Sequence, residues 1–176
     1  MNNIVVRKID TAHAADARLA NEPFTLWGRM IPKLENGKWS YEVEKWEQTS
    51  ELCFPDENYD VEHDDAVFLG AYDRDTCVGV AVLRKKMFRY LYLDDLKVNS
   101  ACRGKGVGGK LIEGCMDVAK EMGLLGVYTI GQDDNLSACL FYLAHGFEIG
   151  GFDNRTYRGT SQEDKANVYF YRDLER

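Results

Sequence analysis

The stretch Cys102-Arg-Gly-Lys-Gly-Val-Gly-Gly-Lys110 sets Gly104, Gly106, Gly108 and Gly109 among three cations, Arg103, Lys105 and Lys110. An apolar-periodic run follows. Glycines let backbone come close to a ligand, and amides at a helix start, aided by the dipole there, hold anions. The chemistry open to this stretch is therefore the cradling of a phosphate or pyrophosphate. Three spacings fit its letters: Gly104-x-Gly106-x-x-Gly109, Gly104-x-x-x-x-Gly109-Lys110 and Arg103-x-x-Gly106-x-Gly108. A triphosphate loop needs Ser or Thr after its lysine to hold magnesium, and Leu111 stands there. A dinucleotide fingerprint opens a series of parallel βαβ units, with its first glycine close behind a strand. Here hairpin signals precede the glycines, and Asn99 to Arg103 intervene. The third spacing is left.

Two more groups could do chemistry. In Tyr90-Leu-Tyr-Leu-Asp-Asp-Leu-Lys-Val98, Leu91 and Leu93 alternate as in a half-buried strand, but the next apolar pair is Leu96 and Val98. One step is three residues instead of two. A single extra residue is what a β-bulge inserts, changing which side chains face in. The bulge falls at Asp94-Asp95, setting two carboxylates beside loosened backbone. Further on, Asn135, Ala138 and Tyr142 are spaced to share one face of a helix.

The elements that must position these residues follow from periodicity and turn chemistry. Ile4 to Val6 with Ile9 reads as a strand and Thr11 to Ala20 as a short helix. Phe24 to Glu35 and Lys38 to Gln48 flank Asn36-Gly37, a strong hairpin signal. Ala66 to Tyr72 and Cys77 to Leu83 flank a second turn, Asp-Arg-Asp-Thr, and Phe88 to Val98 is a third long strand. Val107, Leu111, Cys115, Val118 and Met122 mark the apolar face of a helix that stops at Gly123. Gly126 to Ile130 is a short strand, Asn135 to Ala144 a helix closed by Gly146, and Phe147 to Gly151 and Asn167 to Arg172 are strands. The reading is a single domain over residues 1–176, of α/β (α+β) class, with consecutive antiparallel hairpins and few helices.

Composition bounds the partners. A net charge of −7 argues against nucleic acid or an anionic membrane surface. Glu51 to Asp65 holds seven carboxylates and no Lys or Arg, whereas Arg84 to Lys110 is rich in cations. An acidic segment beside an anion cradle suits a cationic substrate and an anionic cofactor, and it reads equally as a solvated loop. No secretory leader and no run of about 18 apolar residues is evident, so the chain is expected to be soluble and cytoplasmic. Five cysteines without CxxC spacing read as reduced, structural thiols. His13, His63 and His145 are scattered, so no metal is expected, and neither Cys102 nor Cys139 has a histidine placed to activate it. Of Trp27, Trp39 and Trp46, two are expected in the core; the other, with Tyr41, could wall a pocket for a cation.

Together, the bulged strand, Arg103-x-x-Gly106-x-Gly108 opening a helix, and Asn135-x-x-Ala138-x-x-x-Tyr142 with Gly146-Phe147 resemble the GNAT superfamily of acyl-CoA-dependent N-acetyltransferases, over about residues 66–150. The stretch EPFTLWGRMIPKLENGKWSY from Glu22, the later LYLDDLKV and the ending DKANVYFYRDL are similar to the streptothricin acetyltransferases over nearly the whole chain. The resemblance implies a GNAT fold, a central, mostly antiparallel sheet opened at the bulged strand, with flanking helices. It implies acetyl-CoA as co-substrate, no metal, and transfer of acetyl to a primary amine of streptothricin, on its β-lysine part, which inactivates the antibiotic.

Residue by residue, the resemblance gives Leu96, Lys97 and Val98 to the pantetheine arm. Arg103, Gly104, Lys105, Gly106, Val107 and Gly108 match the pyrophosphate cradle, and Asn135 with Ala138 a second pantetheine contact. Tyr142 matches the proton donor to the leaving thiolate. Asp94 is the first candidate for the base that deprotonates the amine. Asp95 is the second, or a carboxylate that holds the cationic substrate. Bulge amides would stabilise the tetrahedral oxyanion. Two other readings stay open: a GNAT acting on another small cation, such as a polyamine or aminoglycoside, and a non-catalytic acyl-CoA-binding module. A homodimer is also left open.

Overall fold

A computed structural model of the protein describes residues 4–175. Strand β1 is Val5–Lys8, followed by a 3₁₀ segment over Thr11–Arg18, kinked at His13, where a short α-helix was expected. Strands β2 (Phe24–Glu35) and β3 (Lys38–Leu52) form a long ribbon, and β4 (Val67–Asp73) and β5 (Thr76–Lys85) a second hairpin. Then come β6 (Tyr90–Val98), α1 (Val107–Glu121), β7 (Gly126–Gln132), α2 (Leu136–Ala144), β8 (Glu148–Asp153) and β9 (Asn167–Asp173). The chain divides into two compact units. Of the described residues, 4–22, 53–127 and 174–175 make the first, and residues 23–52 and 128–173 the second.

In the first unit β1, β4, β5 and β6 lie side by side, antiparallel throughout. Strands β4 and β5 are buried along almost their whole length, because both sheet faces are covered. A Cβ on Gly79 would stand 3.1 Å from Leu111 and 3.3 Å from Val107, so this face of β5 packs directly on α1. The helix offers Val107, Leu111, Ile112, Cys115, Met116, Val118 and Ala119, all buried. Met122, expected on this stripe, instead caps the helix and is 39% exposed. The opposite face carries Phe68, Tyr72, Val80 and Val82 with Ile9 and Ala17 from the N-terminal segment. Tyr59, Val61 and Ala66, from within and just after the acidic stretch, pack against that cluster. Part of the acidic stretch thus covers this unit through Tyr59 and Val61, while most of its residues remain exposed.

The second unit holds the β2–β3 ribbon and the order β7-β9-β8. The ribbon turns at Asn36 (φ 50°) and Gly37 (φ 76°), the left-handed pair that a two-residue hairpin needs. Its register breaks between Leu26 and Gly28. Trp27, Trp39 and Trp46 are all half-buried. None joins the buried core, because a two-stranded ribbon has too little sheet to enclose an indole.

Candidate active site

The bulge is where the leucine spacing puts it. Val82 pairs with Asp95 and Leu83 with Leu93, leaving Asp94 as the extra residue of β6. Leu96 then stands opposite Ala81 and Val98 opposite Gly79, on the face that α1 covers. In an unbroken strand consecutive side chains point to opposite faces. The inserted residue lets both aspartates reach cations on one face. Asp94 Oδ2 accepts from Arg84 Nε at 2.6 Å, and Asp95 Oδ2 lies 3.2 Å from Lys97 Nζ.

Each cation is shared with the acidic stretch. Arg84 donates through both terminal nitrogens to Asp64, at 2.9 Å from Nη2 to Oδ2 and more closely from Nη1 to Oδ1. Lys97 Nζ donates to Glu57 Oε2 at 2.7 Å and sits 5.8 Å from the centre of the Tyr59 ring. Tyr59 Oη donates to Asp95 at 3.3 Å. The segment is itself anchored: Arg18 Nε donates to the Tyr59 carbonyl, and Asn21 donates to Asp56, to Glu57 and to the Pro55 carbonyl.

Burial sets the electrostatics. It pushes the Asp95 carboxyl above its usual value, with Glu57 adding to the rise and Lys97 offsetting part of it. Burial alone would depress Lys97, but its two carboxylates hold it above its usual value. Glu57 is also opposed by burial, and Lys97 wins, leaving Glu57 lowered. Tyr59 is pushed up by burial and by the neighbouring acids, so it remains a neutral hydrogen-bond donor. Lys97 was expected on the cofactor strand; its side chain, only 9% exposed, is committed to carboxylates.

The glycine turn behaves differently. Gly104 (φ 69°) and Gly106 (φ 80°) are left-handed, and a Cβ at either would meet nothing within 4 Å. Backbone conformation, not crowding, is what requires glycine there. Gly106 caps α1 with no side-chain hydrogen bond, and the first turn has no acidic residue. The amides of Val107, Gly108 and Gly109 lack intrahelical acceptors by position. The cations turn back on the loop: Arg103 Nε donates to the Val98 carbonyl, and Lys105 Nζ to that of Ala101. Lys110 donates to the Ile4 carbonyl. Bare amides at a helix start fit a pyrophosphate.

In the second unit Asn135 is the N-cap of α2, and its Oδ1 accepts from the Ala138 amide at 3.2 Å. Tyr142, 9% exposed, packs against Phe141, Phe147 and Phe170 with ring centres 5.5 Å apart. Two acids absent from the sequence reading hold the turn before this helix. Asp133, pushed up by burial, accepts from the Ala166 amide at 2.8 Å and faces Arg29; Asp134 faces Lys165. Cys139, buried in α2, has its thiol pushed up to about 12 by burial, the opposite of a poised nucleophile. His145 lies at the end of α2, its Nδ1 2.8 Å from the Phe141 carbonyl.

Arg84, Glu57, Tyr59 and Asp64 were also missed. Their signal was available: Arg84 ends the apolar run Cys77 to Leu83 and Lys97 stands between Leu96 and Val98, and a half-buried cation needs a carboxylate. Tyr59 and Val61 alternate with acids as on a half-covered strand.

An antiparallel sheet bulged next to a glycine-opened helix is the architecture of acetyl-CoA-dependent acyltransferases, and the Acetyltransferase (GNAT) family pattern matches residues 31–147. The chain belongs to that family. It is 33% identical to streptothricin acetyltransferase A of Bacillus subtilis (strain 168) over 95% of this chain and 98% of that protein. It is 31% identical to a streptothricin acetyltransferase of Escherichia coli over 61% of this chain and 63% of that one. A crystal structure from Bacillus anthracis str. Ames, provisionally called a streptothricin acetyltransferase and in complex with acetyl coenzyme A, superposes with a TM-score of 0.86 at 26% identity, covering 98% of this chain and 99% of that one. Nourseothricin acetyltransferase shares the fold, with a TM-score of 0.79 at 21% identity and the same coverage.

Proposed function

We propose that this enzyme transfers the acetyl group of acetyl-CoA to a primary amine of streptothricin, on its β-lysine part, and so inactivates the antibiotic. The observation that carries this reading is the 33% identity to a streptothricin acetyltransferase over nearly the full length of both chains. The acidic face of the first unit adds a physical reason, since carboxylates gathered at the bulge suit an acceptor that arrives as an ammonium ion. Five unpaired cysteines fit a reducing compartment, the cytoplasm.

In this reading the amides of Gly104 to Gly108, with Arg103 and Lys105 adding charge, take the pyrophosphate. The backbone of Leu96 to Val98, and Asn135 with Ala138 in the second unit, take the pantetheine arm. Asp94, the more exposed bulge aspartate at 30% against 18%, accepts the proton of the ammonium, directly or through water. Asp95 helps hold the cation. The free amine then attacks the thioester carbonyl, the C–N bond forms and the C–S bond breaks. Tyr142 protonates the departing thiolate, and the second proton shed by the new amide nitrogen, passed through water, restores the Tyr142 hydroxyl, so protons and electrons balance without a covalent enzyme intermediate. Bulge amides stabilise the oxyanion.

The test is free-thiol release from acetyl-CoA by purified protein, with streptothricin, spermidine or an aminoglycoside. Fast release with streptothricin alone is expected. Release with another amine only would replace the substrate and keep the mechanism; acetyl-CoA binding without release would end the catalytic reading.

A further inference from the structure

The mechanism above assigns no role to the acidic stretch. Its carboxylates are not spread at random over the surface. Asp64 grips Arg84, which grips Asp94; Glu57 grips Lys97, which grips Asp95. Two carboxylate–cation–carboxylate chains thus run in parallel from the segment to the two consecutive aspartates of the bulge. Tyr59 joins the second chain, packing edge-on against Phe68 at 5.5 Å and donating to Asp95.

We propose that Glu57 and Asp64 are positioning residues for acetyl transfer: Asp64, through Arg84, fixes the carboxylate that takes the proton, and Glu57, through Lys97, fixes the carboxylate that holds the substrate cation. The proposal rests on the acetyltransferase reading above. Its physical basis is geometric. A bulge loosens the strand, so the side chains it presents lose the orientation that regular pairing supplies. Catalysis tolerates little misplacement. A planar guanidinium holding Asp64 by two bonds and Asp94 by a third fixes direction as well as distance. Lys97, nearly enclosed, has no such fork and depends on having two acids and a ring face around it. The charged and titratable groups facing Asp95 are Lys97 on its own strand and Glu57 and Tyr59 on the covering segment.

The two chains make separable predictions. With whichever amine the wild type acetylates, Asp64→Asn is expected to lower kcat about tenfold with little change in the KM of the amine. Glu57→Gln is expected to raise the KM of the amine several-fold while kcat holds. Asp64→Glu, which keeps the charge, should recover part of the kcat lost in Asp64→Asn. A readout without turnover accompanies these: the carboxyl carbon of Asp95, followed by NMR through a pH titration, should titrate at lower pH in Glu57→Gln, because a negative neighbour is gone. Wild-type kinetics in both variants, equal losses in kcat and KM that simply follow a lower melting temperature, or an unmoved Asp95 titration would each overturn the proposal. A wild type that ignores streptothricin but acetylates another amine would sink the proposed substrate and leave these comparisons intact. If it acetylates nothing, the acetyltransferase reading fails and the positioning proposal falls with it, whatever the Asp95 titration shows.

Discussion

The glycine turn and the bulge stand one strand-end apart in the first unit, and they are built on opposite principles. In the proposed site the backbone is the binding surface at residues 103–108. Gly104 and Gly106 are there for positive φ; Lys105 bonds back to the Ala101 carbonyl of its own loop, and Arg103 bonds to the Val98 and Glu22 carbonyls. At Asp94 and Asp95 the proposed working groups are side chains, each held by a cation from the sheet that is shared with an acid from another part of the chain. A phosphate is the same for every acetyl-CoA, so local backbone suffices to bind it. An acceptor amine must be distinguished, oriented and deprotonated, which takes charges brought together from remote segments.

That contrast is open to attack by substitution. The largest effect is expected at the bulge: Asp94→Asn should lower kcat about 10²-fold or more, the contribution typical of a positioned base. Acetyl-CoA affinity, read by calorimetry, should stay put. The loss should be steepest at low pH, where the amine is hardest to deprotonate; a pH profile parallel to the wild type would remove Asp94 from this role. In the turn the pattern should invert. Gly106→Val forces a β-branched residue to φ 80°, at a strain of about 1–3 kcal/mol. Acetyl-CoA affinity should fall about tenfold or more, with no change in the pH dependence of the residual rate. Unaltered affinity would mean that the amides there are not the binding surface.

A smaller effect separates backbone from charge within the turn. Lys105→Ala should weaken acetyl-CoA by less than about threefold, the scale of an exposed ionic contact. The deficit should shrink further at high salt. A loss as large as that of Gly106→Val would make the side chains, not the amides, the cradle.

The smallest effect concerns stability. Glu57 and Asp64 ionise below their ordinary values of 4.5 and 3.8 in the folded protein. Groups with depressed values stabilise the fold above those ordinary values, and that contribution is lost as pH falls through the folded ones. Asp95 is raised, so its contribution has the opposite sign and is lost as pH rises through its folded value. Thermal melts of the wild type should therefore fall off at acidic pH, and Glu57→Gln should flatten the fall. Asp95→Asn should melt higher than wild type near neutral pH while binding the substrate cation less well. A lower melting temperature for Asp95→Asn would show that the Lys97 contact outweighs burial.

Much of this arrangement was legible in the letters alone. The three-residue step between Leu93 and Leu96 located the bulge, because a sheet face that must stay apolar allows only one kind of interruption. Asn36-Gly37 fixed its hairpin, and the glycines of 104–106 fixed the helix start, because left-handed backbone leaves few alternatives. The spacing from Asn135 to Tyr142 placed them on one helical segment, of which the structure makes Asn135 the cap. These are local rules, acting over a few residues. The partners of the charges were not legible in that way. Nothing short-range joins Asp64 to Arg84, or Glu57 to Lys97 forty positions away. Those pairs form because Tyr59 and Val61 must cover the face of β4 and β5 that α1 leaves open, and in doing so they carry the acids to the cations. The chain by itself determined where left-handed glycines would open α1 with bare amides. The tertiary structure decided which carboxylates would face the bulge, because burying one apolar layer put them there.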